Sequence, residues 1–181
     1  MSKADVLKTI KDEEIEYVDI RFTDPRGKLQ HVTLIADEVD EDFLEEGFMF
    51  DGSSIQGWKS IDQSDMKLMP DTDSAYMDPF YAEKTLCMHC SIVEPDTGEG
   101  YDRDPRGTAE RAEAYLKSSG IGDAAFFGPE AEFFLFDDVR YSVSINKVAY
   151  EIDALDASWN TDTEYEMGNT GHRPGVKGGY F

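Results

Sequence analysis

Two glutamates one residue apart, Glu130 and Glu132 in Gly128-Pro129-Glu130-Ala131-Glu132-Phe133-Phe134-Leu135-Phe136, form the pattern richest in chemistry. On a strand successive side chains alternate faces, so both carboxylates would project to one side, about 7 Å apart. Beside aromatic rings each would lose hydration, and its pKa would rise unless a cation compensated. Mg²⁺ and Mn²⁺ are hard ions that take oxygen ligands, and paired carboxylates on a rigid strand can hold them. A solvated strand face carrying two acids has the same spacing and is the simpler alternative.

A second candidate is Phe50-Asp51-Gly52-Ser53-Ser54-Ile55-Gln56-Gly57-Trp58. Asp51 offers a carboxylate where an apolar run ends, Gly52 and Gly57 permit sharp turns, and Ser53 and Ser54 add hydroxyls. An acid in such a loop can bind an ammonium group or act as a base, although Asp-Gly-Ser-Ser is also ordinary turn chemistry. Ser64-Asp65 is a nearby polar island that could join the same site.

Cys87-Met88-His89-Cys90 looks like a metal or redox motif. Zinc ribbons and fingers need four ligands, and neither a second cysteine pair nor a close histidine pair exists here. A redox pair usually opens a helix, whereas these residues fall within strand-like sequence, so both are expected to be small buried hydrophobes. Gly175-Val176-Lys177-Gly178-Gly179 lacks the hydroxyl and the preceding strand of a phosphate loop.

The elements that must position these groups follow from periodicity and punctuation. Val6, Leu7 and Ile10 have helical spacing within Lys3 to Glu13. Ile15–Phe22 and Lys28–Ile35 flank Asp24-Pro25-Arg26-Gly27 and read as a β-hairpin. Asp37 to Glu46 is expected to be a short acidic helix stopped by Gly47, and Lys84 to Val93 a strand. Glu94 to Gly100 is a polar, glycine-bearing break, after which Asp104-Pro105 caps a helix running to Gly120. Ala124 to Phe136 and Arg140 to Ile152 each read as one long strand, and the chain is then polar to Gly179. The class is α+β, with a small N-terminal domain and the opening of a second. One helix, two strands and a long loop leave Phe133-Phe134-Leu135-Phe136 without cover, which points to a piece of a longer polypeptide.

With 17 Lys and Arg against 39 Asp and Glu, the 181-residue chain has a net charge of −22. Such a surface repels a phosphate backbone and an anionic membrane, and no apolar stretch approaches the roughly 20 residues of a bilayer span. A hydrophobic content of 40% nevertheless allows a core. Met1-Ser2-Lys3-Ala4-Asp5 opens no secretory signal, so a soluble, cytoplasmic protein is expected.

The phrase Met49-Phe50-Asp51-Gly52-Ser53-Ser54-Ile55, continuing to Gly57-Trp58 and Ser64-Asp65-Met66, closely resembles the N-terminal signature of bacterial type I glutamine synthetases. Tyr101-Asp102-Arg103-Asp104-Pro105-Arg106 resembles the junction into that family's catalytic domain. Gly128 to Phe134 resembles its first metal strand, and Lys177-Gly178-Gly179-Tyr180-Phe181 a later active-site stretch.

The resemblance implies a β-grasp domain over 14–98 and the beginning of a large α+β catalytic domain over 106–181. It implies ATP-dependent ligation of ammonia to glutamate through a γ-glutamyl phosphate. Glu130 and Glu132 would be ligands for divalent metal (Mg²⁺ or Mn²⁺), Asp51 would bind ammonium and help deprotonate it, and Ser54 and Tyr180 would line that pocket. Asp65 would belong to a mobile loop beside it. The family assembles as homo-oligomeric stacked rings in which the N-terminal domain of one subunit completes its neighbour's active site. The remaining metal, ATP and glutamate contacts would lie beyond Phe181. A γ-glutamyl ligase using another amine and a non-catalytic interaction module are the alternative readings.

Overall fold

The computed structural model describes residues 1–132, 138–153 and 158–164. These divide into two compact units, the first Met1–Ala125 and the second beginning at Phe126.

Helix α1 (Lys3–Asp12) begins with a reciprocal cap: the Ser2 hydroxyl accepts from the Asp5 N–H, and the Asp5 carboxylate accepts from the Ser2 N–H. Val6 is buried, and Leu7 and Ile10 pack beside it, as the helical spacing predicts. Strands β1 (Tyr17–Thr23) and β2 (Leu29–Ile35) pair antiparallel in the expected hairpin. In the turn, Asp24 accepts from the backbone of Arg26 and Lys28 and from the Gln30 amide, each at 2.9 Å.

The expected helix over 37–46 is instead two pieces, a single 3-10 turn at Ala36–Glu38 and helix α2 (Glu41–Glu46). Asp40 divides them, because its carboxylate accepts the Phe43 N–H at 2.8 Å and starts a new helix. Gly47 then ends α2 at φ +77°, where a Cβ would lie 2.5 Å from the Leu68 carbonyl oxygen.

Strands β3 (Phe48–Asp51), β4 (Asp65–Met77) and β5 (Thr85–Val93) complete a five-stranded sheet of order β2-β1-β5-β4-β3. β1 and β5 run parallel at its centre, and the other pairings are antiparallel. The inward face, including Val18, Ile20, Met66, Leu86, Met88 and Ile92, forms the core. Helix α1 packs on β4 and α2, while α3 (Pro105–Ser119) touches β1 and β5. The Asp104 carboxylate caps α3 on the Arg106 N–H and also accepts the Ile92 N–H, both at 3.0 Å.

In the second unit, the single strand expected over Arg140–Ile152 is a hairpin of β6 (Asp138–Ser144) and β7 (Lys147–Asp153). Ser144 pairs with Lys147 across a two-residue turn, so the backbone groups of the two halves satisfy one another. The long strand expected from Ala124 is also absent: residues 124–132 have no regular structure, and 133–136 lie outside the described residues. A strand needs a ladder partner, and none is present for 124–132 among the described residues. No helix of the described residues is long and apolar enough to cross a membrane.

Candidate functional site

Asp51 stands at the end of β3, directly across from Asp65 at the start of β4. The Gly52 N–H donates to the Ser64 carbonyl at 2.7 Å, closing the chain on the far side of this pair. Gly52 is buried against Met66, and any side chain there would collide with the methionine sulfur. Thus Asp51 leaves the sheet at a fixed place. Its Oδ1 accepts from the Ser53 N–H at 2.8 Å and the Ser53 hydroxyl at 2.6 Å, and the carboxylate is exposed. Ser54 and Asp65 are exposed as well. The structure therefore brings Asp51, Ser54 and Asp65 to one edge of the sheet.

Beside them lies a groove of about 660 Å³ lined by Lys59, Asp62, Ser64, Asp65, Glu94 and Asp96, among others. The Lys59 ammonium meets Glu94 at 2.6 Å and lies 5.2 Å from the centre of the Tyr101 ring. Asp62 is held below the usual carboxylate range chiefly by a hydrogen bond from the Ser60 side chain. Four acids around one lysine give the groove a negative field that favours small cations over phosphates.

The loop that follows Asp51 ends in an aromatic cluster. The Trp58 ring, 5% exposed, lies 5.5 Å from Phe22, 6.0 Å from Phe50 and 5.6 Å from Tyr101. Its indole N–H has no acceptor among the described residues. Arg103 supplies the polar anchor, donating to the carbonyls of Gly57 at 2.6 Å and Trp58 at 3.2 Å. Nothing in the local sequence announces this contact, which joins residues about 45 positions apart.

A denser polar cluster lies on the outer face of β1. Asp19, fully buried, accepts from Arg21 Nε and the Thr33 hydroxyl and pairs with His31 Nδ1, each at 2.7 Å. Arg21 also donates to the Tyr76 hydroxyl at 2.6 Å and to Asp78 at 2.7 Å. Burial would push the Asp19 carboxyl up, but hydrogen bonds from Arg21, His31 and Thr33 outweigh it and hold it below the usual range. A groove of about 250 Å³ beside this cluster includes Arg21, His89 and Arg106. Both guanidiniums are already paired with carboxylates, Arg106 with Asp71 and Glu110, and burial pushes the His89 pKa down, so the groove lacks the spare positive charge an anion needs.

Cys87 and Cys90 are buried, as expected for structural cysteines. Cys87 faces the polar cluster, 3.7 Å from Asp78, whereas Cys90 belongs to the core. Burial raises their thiol pKa values to about 11 and about 12. Neither is a reactive thiolate at neutral pH.

Glu130 and Glu132 are exposed and lie in the irregular segment of the second unit. The alternation argument that put them on one strand face therefore does not apply. Among the described residues, no three His, Cys, Asp or Glu side chains come together so as to hold a metal ion. Two carboxylates are the right donors for a hard cation and would supply two of the roughly six oxygens it takes. Tyr180 and the whole 177–181 stretch lie outside the described residues.

A mixed sheet with two central parallel strands and helices packed on it, carrying an acidic loop at one edge, defines an α+β protein of the β-grasp kind. Residues 14–95 match the glutamine synthetase β-grasp domain and residues 102–181 the glutamine synthetase catalytic domain. The chain belongs to the glutamine synthetase family. It is 79% identical to a glutamine synthetase of Cereibacter sphaeroides over its whole length and 39% of that relative's. It is 76% identical to one of Rhodobacter capsulatus, over 97% of this chain and 40% of the relative. A cryo-EM structure of Plasmodium falciparum glutamine synthetase shares the fold, with TM-score 0.67 and 23% identity over 92% of this chain and 33% of that one. The chain thus spans about two fifths of the length of these curated relatives.

Proposed function

We propose that this chain is the N-terminal part of a cytoplasmic glutamine synthetase, with its domains over 14–98 and 106–181, and that its Asp51 loop handles ammonia in the assembled enzyme. The reaction runs in two steps. A side-chain carboxylate oxygen of glutamate attacks the terminal phosphorus of ATP, giving γ-glutamyl phosphate and ADP. Ammonia then attacks the acyl carbon and phosphate leaves, giving glutamine.

Ammonia in water at neutral pH is mostly ammonium, which has no lone pair to attack with. A carboxylate attracts that cation and then accepts its proton. The observation that carries this assignment is the geometry of Asp51: one carboxylate oxygen is fixed by Ser53 while the group stays exposed opposite Asp65 and beside an acidic groove. Ser54 and Tyr180 would line the same pocket, Asp65 would move with the adjacent loop, and a neighbouring subunit of a ring-shaped homo-oligomer would complete the site. Glu130 and Glu132 would act as ligands for Mg²⁺ or Mn²⁺, which screens phosphate charge when bound.

In the full-length enzyme, Asp51→Ala is expected to lower ammonium-dependent turnover by about 100-fold while leaving nucleotide affinity within a few-fold. Unchanged ammonium dependence in steady-state kinetics would remove Asp51 from this role. Glu130→Gln and Glu132→Gln keep side-chain volume but withdraw charge, so each should raise the Mg²⁺ concentration needed for half-maximal activity and shrink the metal-induced rise in melting temperature. A wild-type metal titration for both variants would show that the metal ligands are elsewhere.

A further inference from the structure

We infer that Arg103 is a positioning residue for the Asp51 loop, acting by clamping the loop's far end onto the strand-to-helix junction. This inference rests on the reading of Asp51 as the ammonia-handling group.

The loop is held at both ends, with Ile55 between them packed against the core. At its start, the Asp51–Asp65 pairing and the Gly52–Ser64 hydrogen bond fix it to β4. At its end it relies on Trp58, whose indole N–H finds no acceptor among the described residues and so contributes packing rather than a directional bond there. The direction comes from Arg103, which bonds two successive carbonyls, those of Gly57 and Trp58. Both bonds come from Nη1, and one nitrogen seated between two adjacent carbonyls fixes the orientation of a peptide, not only its distance.

The platform behind Arg103 is rigid. Tyr101 N–H donates to the Ile92 carbonyl at 2.8 Å, and the buried Asp104 carboxylate accepts the Ile92 N–H. Residues 101 and 104 are therefore tied to the same β5 residue, and Arg103 projects from between them. Tyr101 also meets the Trp58 ring edge-on and lies under Lys59. The exposed residues Ser54 and Gln56 thus lie between two anchored ends, and freeing the far end lets the backbone around them drift. A displacement near 1 Å at a positioning group can cost up to about 100-fold in rate.

The test uses the full-length enzyme with Arg103→Met, Arg103→Lys and, in parallel, Asp51→Ala. Two quantities are read: the KM for ammonium against those for glutamate and ATP, and amide hydrogen exchange of residues 52–58 by mass spectrometry. Arg103→Met should raise the ammonium KM by about tenfold, leave the other two within about twofold, and speed exchange in 52–58 but not in β3 or β4. Arg103→Lys, whose single ammonium can still donate to these carbonyls but lacks the flat guanidinium that packs and orients it, should fall between. Unchanged exchange in 52–58 overturns the clamp, as does faster exchange with an unchanged ammonium KM when Asp51→Ala does raise it. If Asp51→Ala leaves ammonium dependence untouched, the ammonia reading of the loop falls instead, and the exchange data alone decide whether Arg103 holds the loop.

Discussion

The Asp51 loop and the Asp19 cluster are both built around carboxylates on one sheet, yet they spend those groups differently. Asp19 lies on an interior strand with no exposure and takes three partners on its two oxygens. Asp51 ends an edge strand, takes both its hydrogen bonds from Ser53 on one oxygen, and faces a second acid rather than a base. A carboxylate saturated with internal donors has little capacity left for a ligand and serves the fold. One left exposed beside a like charge contributes little to the fold and remains available. Charge content alone does not separate the two; the count of satisfied lone pairs does.

The strongest test of this contrast is stability. Asp19→Ala strands Arg21 beside a void with only Asp78 and Tyr76 to face, and should cost the first unit about 3 kcal/mol. Asp51→Ala removes a turn cap and should cost less than about 1 kcal/mol. Urea unfolding followed by circular dichroism measures both, and equal losses would abolish the distinction.

Acid titration is expected to give the next largest effect. The Asp19 carboxyl is held below its ordinary value, as is that of Asp78, through the Phe80 N–H and Arg21. The unfolded chain therefore binds more protons than the folded one as these groups titrate. Their contribution is fully present above the ordinary carboxylate pKa of about 3.9 and is lost as pH falls through the lower folded values. The urea midpoint should hardly change from neutrality to pH 5 on their account and drop below about pH 4, with a shallower drop in Asp19→Asn. An identical acid profile in that variant would show that the cluster is not what fails in acid.

The smallest expected effect has the opposite sign. Asp65→Asn removes the like charge directly across from Asp51, and should raise stability by about 0.3 kcal/mol at low salt, less at high salt. A loss instead would mean that Asp65 makes a stabilising contact of its own.

Much of the frame was legible because local rules and tertiary demands agree. The apolar spacing of α1, the Asp24–Gly27 turn and the Asp104-Pro105 helix start each appear where their residue types predict. β4 did not, since Pro70 and Asp71 to Ser74 are poor strand formers. The structure accommodates them because β3 covers β4 only as far as Leu68, so Pro70 borders an edge, and the register slips between Asp71 and Tyr76. The strand-like composition of 124–132 misled in the other direction, since it does not by itself supply a ladder partner, and none is found among the described residues. In the candidate site, proximity of Asp51 and Asp65 was a guess that the β3–β4 register turned into a contact. The Asp19–Arg21 cluster was hidden because alternation in Tyr17-Val18-Asp19-Ile20-Arg21 reads as a half-wet strand, and only the fold shows that both faces are covered.

The buried Asp104 carboxylate bears on how the chain can be cut and rejoined. It accepts one hydrogen bond from the sheet at Ile92 and one from the helix at Arg106. The polar stretch between β5 and α3 looks like a dispensable tether, but severing it and separating the pieces would strip β5 of an internal acceptor and leave α3 with its cap but without its seat. Anyone dividing this polypeptide for expression, tagging or complementation should keep Met1 to Gly120 on one piece and place the junction in the exposed run after α3, where Phe126 and Phe127 are 96% and 89% exposed.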